Sequence, residues 1–495
     1  MAGIENQSPS AGEKSWAPRV AIIGAGMTGI LAGVRLLQAG NSNFTIFEKA
    51  DRIGGTWREN TYPGLTCDVP SHLYRYSFEP NPDWTRYQAP GEEIWRYFDR
   101  TADKWGVKRH IRFGEEVSRL TYTAPHWELK TKDGSPEKFD IVLAATGFLH
   151  HPKYPDVEGL GLFQGACFHT ARWDHGVALR GKRVGIIGTG STAVQVLAGI
   201  VDEAGKVEVF QRTPQWVWPV PNPAYSMDEK EAFRTSPALM EATYQKYHRR
   251  FTTTFAQALI GNQEQFDAIE KSCKEYLSTV RDPVLRAKLT PSYKVGCKRL
   301  VMSHRFYDDI QKPNVALVTE PISRVEARGI RTADGGLHEL DVIAMATGFD
   351  AHAYTAPIEI RGLNGSNLQD VWNQSLEAYR SVAVPGFPNL FVLGGGPYSP
   401  IGNFSIIVIS ERQLDYVMQL ISHAQQSGAR EIEPTREATR RFIEDIRKAM
   451  AGTVWASGCN SWYLDKHGQP IVWPWDWERF ENEMRHPRFA DYRFA

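Results

Sequence analysis

The sequence predicts an α/β protein that contains two Rossmann-like dinucleotide-binding domains and a helical insertion. Two glycine-rich loops, which begin at Gly24 and Gly188, each follow a short apolar run and precede a helical pattern. Such runs are typical of buried parallel strands, and a dinucleotide binds at the loop between strand and helix. Between 222 and 290 the pattern changes to charged and apolar residues at helical spacing, without such loops. We therefore expect a helical piece inserted into the second nucleotide domain.

The charge balance and hydropathy of the chain narrow its partners. The 495 residues include 57 Lys and Arg and 57 Asp and Glu, so the formal net charge is zero. This balance gives no electrostatic reason to expect nucleic acid or an anionic membrane. No apolar run reaches the roughly 20 residues of a membrane-spanning helix. The polar residues 1–17 are interpreted as a loose tail, and we expect a cytoplasmic protein, monomeric or weakly homo-oligomeric.

The cysteines are odd in number, scattered, and never arranged as C-x-x-C. They are Cys67, Cys167, Cys273, Cys297 and Cys459. The pattern indicates neither a metal site nor a disulfide framework, and a reducing compartment is expected.

The first nucleotide unit extends from the apolar run RVAII to Glu48. Its loop GAGMTG places Gly24, Gly26 and Gly29 in the pattern G-x-G-x-x-G. A helical stretch closed by Gly40 and a second apolar run, FTIF, follow. Glycine lets the backbone approach a pyrophosphate at the helix N-terminus, and Glu48 is expected to accept ribose hydroxyls.

The second nucleotide unit follows the apolar run KRVGII and carries the loop GTGSTA. Its candidate ligand residues in the loop and the following helix are Gly188, Gly190, Ser191, Thr192 and Gln195. The next strand ends in no acid but leads to Arg212 and Thr213. Because an acid would repel a 2′-phosphate that an arginine binds, the pattern favours NADPH over NADH. A solvated surface cation is the alternative for Arg212.

Two similar strand ends, 144–148 (AATGF) and 346–350 (ATGFD), are expected to mark the crossings between domains. The predicted boundaries are 1–17 for the tail, 18–148 and 350–495 for the first nucleotide domain with a C-terminal active-site loop, 149–221 and 291–349 for the second, and 222–290 for the insertion.

One segment between the two loops, 163–174, reads FQGACFHTARWD. His169 and Trp173 are four positions apart, so on a helix they would share a face. A linker with an aromatic core face is the other interpretation. The pattern F-x-G-x-x-x-H-x-x-x-W-D resembles the fingerprint of type I Baeyer–Villiger monooxygenases, complete at Phe163, Gly165, His169, Trp173 and Asp174.

The resemblance implies further site residues. FAD is implied for the first nucleotide site, extended by Gly55, Thr56 and Trp57 and closed by the segment that contains Asn403. The segment YPGLTCD is similar to one in which Asp68, also assigned to the cofactor site, holds an active-site arginine. The implied catalytic residues are Arg299, Asp68, Lys298, Trp462 on a loop that closes over bound NADP, and His169 of the fingerprint.

The implied reaction is the conversion of a ketone to an ester or lactone, with NADPH and molecular oxygen, through a peroxide of the reduced flavin. Three alternatives remain open at this point. They are oxygenation of sulfur or nitrogen, a flavin disulfide reductase, and a nucleotide-binding redox sensor without turnover. A disulfide reductase requires two close cysteines beside the flavin, and only Cys67 lies near the FAD motifs.

Overall fold

The computed structural model describes residues 16–495, and most of the predicted tail lies outside these residues. Trp16, the first described residue, packs against the main core, and its carbonyl accepts a hydrogen bond from Gln425 Nε2 at 2.7 Å. Within residues 16–495, no helix combines the length and apolar character that crossing a membrane requires.

The first sheet contains five parallel strands, and its central strand is the apolar run before the first glycine-rich loop. In spatial order the strands are Leu390–Val392, Ile141–Ala144, Val20–Ile23, Phe44–Glu48 and Ile111–Phe113. Every residue of Val20–Ile23 is buried, because the sheet is covered on both faces. The helices Met27–Gln38 and Ile406–Ser427 pack against each other beside this sheet.

The second sheet repeats the arrangement with the second glycine-rich loop. Its five parallel strands are, in spatial order, Val315–Val318, Lys206–Phe210, Arg183–Ile187, Val342–Met345 and Ala166–His169. In both sheets the strand before the glycine-rich loop is central, so the carboxyl edge of each sheet presents that loop. The predicted fold class, two Rossmann-like units in an α/β protein, is confirmed.

Within residues 16–495, the other strands form four smaller sheets. They are Glu359–Arg361 with Val117–Thr123, His126–Thr131 and Glu137–Phe139; Ile322–Glu326 with Gly329–Thr332 and Leu337–Glu339; Val217–Trp218 with Val301–Met302; and Ile432–Pro434 with Tyr492–Phe494. The remaining α-helices are Thr56–Glu59, Gly91–Lys104, Ser191–Ile200, Met227–Thr235, Pro237–Arg250, Ala256–Leu259, Gln263–Leu277, Pro283–Leu289, Phe306–Ile310, Leu368–Gln374, Arg436–Met450 and Trp477–Arg485.

Residues 222–290 are largely helical, and their sequence supplies the helix starts. Ser226, Ser236, Asn262 and Asp282 each accept a backbone N–H of the helix that follows them. These short polar side chains satisfy amides that a helix N-terminus otherwise leaves without a partner. Proline at the first helical position, as at 237 and 283, fits because that N–H needs no partner.

The two nucleotide units are packed closely where the segment 62–66 crosses the helix Ser191–Ile200. A β-carbon on Gly64, which has φ +81°, would lie 2.2 Å from the carbonyl oxygen of Gln195. The side chain of Gln195 donates to the carbonyl of Thr66 at 3.0 Å and accepts from the hydroxyl of Tyr62 at 3.0 Å. Gln195 therefore joins the two units, beside any contact it makes with a nucleotide.

The segment 163–174 differs from the helix on which His169 and Trp173 would share a face. It forms the strand Ala166–His169 and then a single 3-10 turn, Thr170–Arg172. The strand pairs in parallel with Val342–Met345, and this edge pairing overrides the helical spacing. A β-carbon on Gly165 would lie 2.4 Å from the carbonyl oxygen of Asp341, so this glycine permits a close backbone approach.

The expectation from the cysteine pattern that no disulfide forms was wrong. Cys297 and Cys459 form a disulfide that joins segments 162 positions apart in the chain, whereas Cys67, Cys167 and Cys273 are free. Such a bond leaves no trace in local cysteine spacing, because tertiary folding alone brings the two segments together.

Candidate active site

A cavity of about 1340 Å³ lies between the carboxyl edges of the two sheets. Its wall is formed by both glycine-rich loops, by the two strand ends 144–148 and 346–350, and by the loop that carries Trp462. The predicted site residues that line it are Gly24, Gly26, Glu48, Gly55, Thr56, Trp57, Asp68, Gly188, Gly190, Ser191, Thr192, Gln195, Arg212, Thr213, Lys298, Arg299 and Trp462. The cavity therefore brings together residues from most of the chain.

The first glycine-rich loop packs closely against a neighbouring backbone segment, and the helix that follows it has no side-chain cap. Gly24 has φ +102°, and a β-carbon there would lie 2.7 Å from the carbonyl oxygen of Ala145. The helix Met27–Gln38 begins at Gly26, and no side chain caps its N-terminus. Its first amides and the positive end of its dipole are therefore available to an anion in the cavity.

Glu48, at the end of the second strand, is buried and oriented by its neighbours. One carboxylate oxygen accepts the backbone N–H of Ala25 at 2.8 Å, and the other accepts that of Ala50 at 2.9 Å and Arg58 Nη1 at 3.0 Å. These contacts fix a carboxylate at the cavity wall close to the glycine-rich loop. A fixed carboxylate in this position can accept hydrogen bonds from the hydroxyl groups of a ribose.

A second glycine turn faces the first loop. A β-carbon on Gly26 would lie 3.5 Å from the α-carbon of Gly55, so the two backbones are in close contact at the cavity wall. Trp57 continues this wall, and its indole N–H donates to the hydroxyl of Tyr74 at 3.1 Å. Glycine at both positions permits this close approach of the two backbones.

The second loop has the same construction. Gly188 has φ +122°, and a β-carbon there would lie 2.4 Å from the carbonyl oxygen of Ala346. The helix Ser191–Ile200 begins at Gly190 without a side-chain cap, so it too presents free amides to the cavity. Thr189, in this loop, donates its hydroxyl proton to the carbonyl of Thr213 at 2.8 Å and so fixes the turn that carries Arg212.

Lys298 lies at the Arg212 end of the cavity. Burial and then the charge of Arg212 lower the pKa of Lys298, so the two cations are close enough to repel each other. The ammonium group also lies 4.8 Å from the centre of the Tyr293 ring, a cation–π distance. Two convergent cations on one wall are a site for a doubly charged anion.

Arg299, the next residue, is bound to Asp68. Its Nη2 and Nε donate to one carboxylate oxygen of Asp68 at 2.5 and 3.2 Å. The charge of Asp68 raises the pKa of Arg299, against the effect of burial. The side chain of Arg299 is 38% exposed and lines the cavity, so a permanent positive charge faces the interior space.

Tyr463 is a residue that the sequence analysis did not identify. It is buried, and its hydroxyl lies beside the Arg299 guanidinium. Burial raises the pKa of Tyr463, and the charge of Arg299 partly opposes this effect. Its ring packs 4.3 Å from that of Trp462, which lines the cavity and faces Phe148 at 5.9 Å. A tyrosine directly after a predicted site residue was the only available signal.

His169 does not line the cavity, so the geometry does not support a catalytic role for it. Its Nδ1 accepts the backbone N–H of Ala171 at 3.1 Å, which places the proton on Nε2. Nε2 then donates to the carbonyl of Gly348 at 3.0 Å. Burial lowers the pKa of His169, which favours this neutral form. The residue connects the fingerprint to the 346–350 crossing and is a positioning residue.

Two further predicted cofactor residues also lie off the cavity. Gly29 packs against the first loop, where a β-carbon would lie 1.8 Å from the carbonyl oxygen of Gly24. It is therefore needed for close packing of helix against loop. Asn403 is 1% exposed, and both atoms of its side-chain amide lack a partner within the described part of the chain. Its predicted contact with a cofactor stays a prediction.

The cysteines do not form a redox pair in the cavity. Cys67 lines the wall, but it is free and buried, and burial raises its pKa well above the usual range. The sulfur atoms of the disulfide lie behind the wall, since neither Cys297 nor Cys459 lines the cavity. This arrangement does not supply the two close cysteines that a flavin disulfide reductase requires.

Comparison with known proteins gives consistent matches. Residues 17–241 match the family described as flavin-binding monooxygenase-like. The chain is 47% identical over 457 residues to a Mycobacterium tuberculosis protein named an uncharacterized monooxygenase, with 92% of both chains covered. It is 39% identical over 487 residues to a Baeyer–Villiger monooxygenase of Streptomyces coelicolor, with 96% of this chain and 92% of the relative covered.

Solved structures match over nearly the whole chain. One is the OTEMO complex with FAD and NADP, with a TM-score of 0.88, 29% identity, and coverage of 97% of this chain and 100% of the other. Another is cyclohexanone monooxygenase from Rhodococcus sp. Phi1 bound to NADP+, with a TM-score of 0.86, 30% identity, and coverage of 97% and 99%.

Proposed function

The chain belongs to the family of flavin-binding monooxygenases that includes the Baeyer–Villiger enzymes, and we propose that it converts ketones to esters or lactones with FAD, NADPH and molecular oxygen. The pairing of Arg299 with Asp68 on the cavity wall is the observation that carries this proposal. The sulfur and nitrogen oxygenations considered from the sequence would use the same fold and cofactors, so the substrate must decide between them.

The first loop fits FAD. The uncapped helix start after Gly26 lies on the cavity wall, where glycine at positions 26 and 55 lets the two turns pack closely. A pyrophosphate at that helix start would accept hydrogen bonds from backbone N–H groups, and Glu48 would accept hydrogen bonds from the adenosine ribose hydroxyls. The carboxylate is already held by the backbone of Ala25, which lies in the loop itself.

The second loop fits NADPH. The uncapped helix start at Gly190 would bind the pyrophosphate in the same way. Arg212 and Lys298 would hold the adenosine 2′-phosphate between them, and Thr213 adds a hydroxyl on the same wall. The sequence analysis counted Lys298 among catalytic residues; its proximity to Arg212 supports cofactor binding instead.

Bound FAD and NADPH would supply the hydride transfer and the activation of molecular oxygen that this reaction requires. The task left to the protein is electrostatic, because negative charge on oxygen has to be stabilised next to a ketone carbonyl. Arg299 stabilises it, since its guanidinium keeps its proton and faces the cavity. Asp68 orients the guanidinium of Arg299, and the hydroxyl of Tyr463, from the C-terminal part of the chain, lies beside the same guanidinium.

Trp462 would limit the access of water to this region. Its ring faces Phe148 and lines the cavity, and its carbonyl accepts a hydrogen bond from His352 Nε2 at 2.9 Å. Exclusion of water strengthens the interaction between Arg299 and a neighbouring negative charge, because the local dielectric falls.

The proposal is tested by incubating the purified FAD-loaded protein with NADPH, ¹⁸O₂ and a panel of linear and cyclic ketones, sulfides and amines. We expect esters or lactones that carry one ¹⁸O atom. Hydrogen peroxide without an ester from any ketone would contradict the proposal. Sulfoxide or N-oxide as the sole labelled product would favour the alternative oxygenation.

A further inference from the structure

The disulfide between Cys297 and Cys459 joins two segments of the cavity wall. Its α-carbons are 6.2 Å apart, and both residues are buried. Cys297 directly precedes Lys298 and Arg299, whereas Cys459 directly precedes the cavity-lining residues 460–462. The bond therefore lies immediately behind the guanidinium and the loop that carries Trp462.

The loop Gly458–Trp462 has little else to hold it. Within residues 16–495, it makes one hydrogen bond to a distant part of the chain, from His352 Nε2 to the carbonyl of Trp462. A regular contact resumes only at Tyr463, whose carbonyl accepts the N–H of Ile471 at 2.9 Å. A segment with so few anchors opens readily unless it is covalently held.

Tyr463, the residue directly after this loop, lies beside Arg299. The Tyr463 ring is buried beside Trp455 and Trp462, and its hydroxyl lies next to the guanidinium. The disulfide thus fixes the start of the loop to Cys297, and Tyr463, directly after the loop, contacts Arg299 of the same segment. Loss of the bond would leave His352 and the aromatic contacts to keep Trp462 on the wall.

We propose that the Cys297–Cys459 bond is a redox-sensitive clamp that holds the Trp462 loop closed on the cavity. Reduction by a dithiol transfers two electrons and two protons, so that two thiols form at Cys297 and Cys459 and the dithiol becomes a disulfide. Cys459 is the more exposed residue of the pair, at 9% against 0% for Cys297, and is the expected point of attack. The catalytic consequence rests on the proposed function, because the loop matters there only if the cavity holds a cofactor and excludes water.

The first measurement establishes the bond. The full-length protein is denatured and alkylated with iodoacetamide without reductant, and its peptides are mapped by mass spectrometry. We expect one cross-linked pair, Cys297 with Cys459, and alkylation of the three other cysteines. Alkylation of all five cysteines would overturn the proposal.

The second measurement follows the loop by hydrogen exchange of residues 458–468. Oxidised protein is compared with protein treated with dithiothreitol, with Cys459→Ser, and with Cys273→Ser, which alters a free buried cysteine. We expect exchange at least about fivefold faster in the reduced protein and in Cys459→Ser, at the lower end of couplings between sites. Cys273→Ser should resemble the oxidised protein, and reoxidation should restore slow exchange in the wild type.

Equal exchange in oxidised protein, reduced protein and Cys459→Ser would overturn the clamp. The peptide map and the exchange data need no turnover, so they stand if no ketone is oxidised. If ester forms in the oxidised protein, reduction of the disulfide should raise the yield of hydrogen peroxide per NADPH oxidised and lower the yield of ester. An unchanged ratio of ester to oxidised NADPH, despite faster hydrogen exchange, would overturn the catalytic consequence and leave the proposed function intact.

Discussion

Lys298 and Arg212 line the same cavity, and the charge of Arg212 adds to the effect of burial in lowering the pKa of Lys298. The two residues come from segments 86 positions apart and face one wall of the cavity. Two like charges are costly to keep together unless an anion joins them, and each charge-assisted hydrogen bond contributes about 1.5–3 kcal/mol. We infer that the pair is arranged for a phosphate group.

Lys298→Ala and Arg212→Ala should each raise the KM for NADPH by roughly 10- to 100-fold, which corresponds to the loss of one such bond. The KM for NADH should change little, because NADH lacks the 2′-phosphate. Steady-state NADPH and NADH oxidation would measure both. Lys182→Ala, which removes an exposed cation off the cavity, is the control. Equal losses with both nucleotides would contradict the assignment.

Arg299→Ala should still permit reduction of the flavin by NADPH but should strongly slow formation of the ester. Removal of one preorganised group that stabilises an oxyanion costs about 10²- to 10³-fold in rate. Asp68→Asn should show a smaller loss, because the guanidinium keeps its charge but loses its ionic partner. Anaerobic flavin bleaching and product analysis under oxygen separate the two steps. Arg305→Ala, which changes a cation away from the cavity, should retain both activities.

Sequence patterns predicted the two βαβ units because their signals are local. Glycine spacing, apolar runs and the acid at position 48 all lie within about 30 residues, and each has its own physical cause. Asp68 and Arg299 are 231 positions apart, so only the family resemblance could associate them. The structure supplies the contact itself.

The remaining features depend on tertiary packing. No local pattern distinguishes a lysine that approaches Arg212 from one that approaches a substrate, and both fitted Lys298. His169 has the spacing of a helical pair, but the parallel pairing of its strand determines its conformation. The Cys297–Cys459 bond and the position of Tyr463 result from the path of the C-terminal loop across the cavity.

Gly64→Ala should destabilise the contact between the two nucleotide units. The residue has φ +81°, and a β-carbon would lie 2.2 Å from a backbone oxygen of the helix Ser191–Ile200. Left-handed strain and the displaced helix together should lower stability by about 2–4 kcal/mol. Thermal unfolding would measure this as a lower midpoint. Gly161→Ala, where a β-carbon meets no atom within 4 Å, should have little effect. Similar midpoints for both variants would show that the crossing is not tightly packed.

His72 is expected to make the stability of the fold sensitive to mild acid. It is 1% exposed, and neither ring nitrogen has a hydrogen-bond partner within the described residues. Its ring packs on Phe233 and Tyr225 of the helical region, with centres 4.2 and 5.2 Å away. Burial, reinforced by the charge of Arg75, lowers its pKa to about 4 from the ordinary 6.5. Protonation therefore requires a charge in an apolar contact.

Since the unfolded chain binds this proton first, stability contributed by neutral His72 is complete above pH 6.5 and is lost as the pH falls towards 4. The gap between the two pKa values corresponds to about 3 kcal/mol, of which about 2 kcal/mol should be lost between pH 7 and pH 5. His72→Leu should remove that part of the pH dependence. Urea unfolding at pH 7, 6 and 5 would measure it, with His304→Leu, at an exposed histidine, as the control. An unchanged pH dependence in His72→Leu would contradict this assignment and point to other titrating groups.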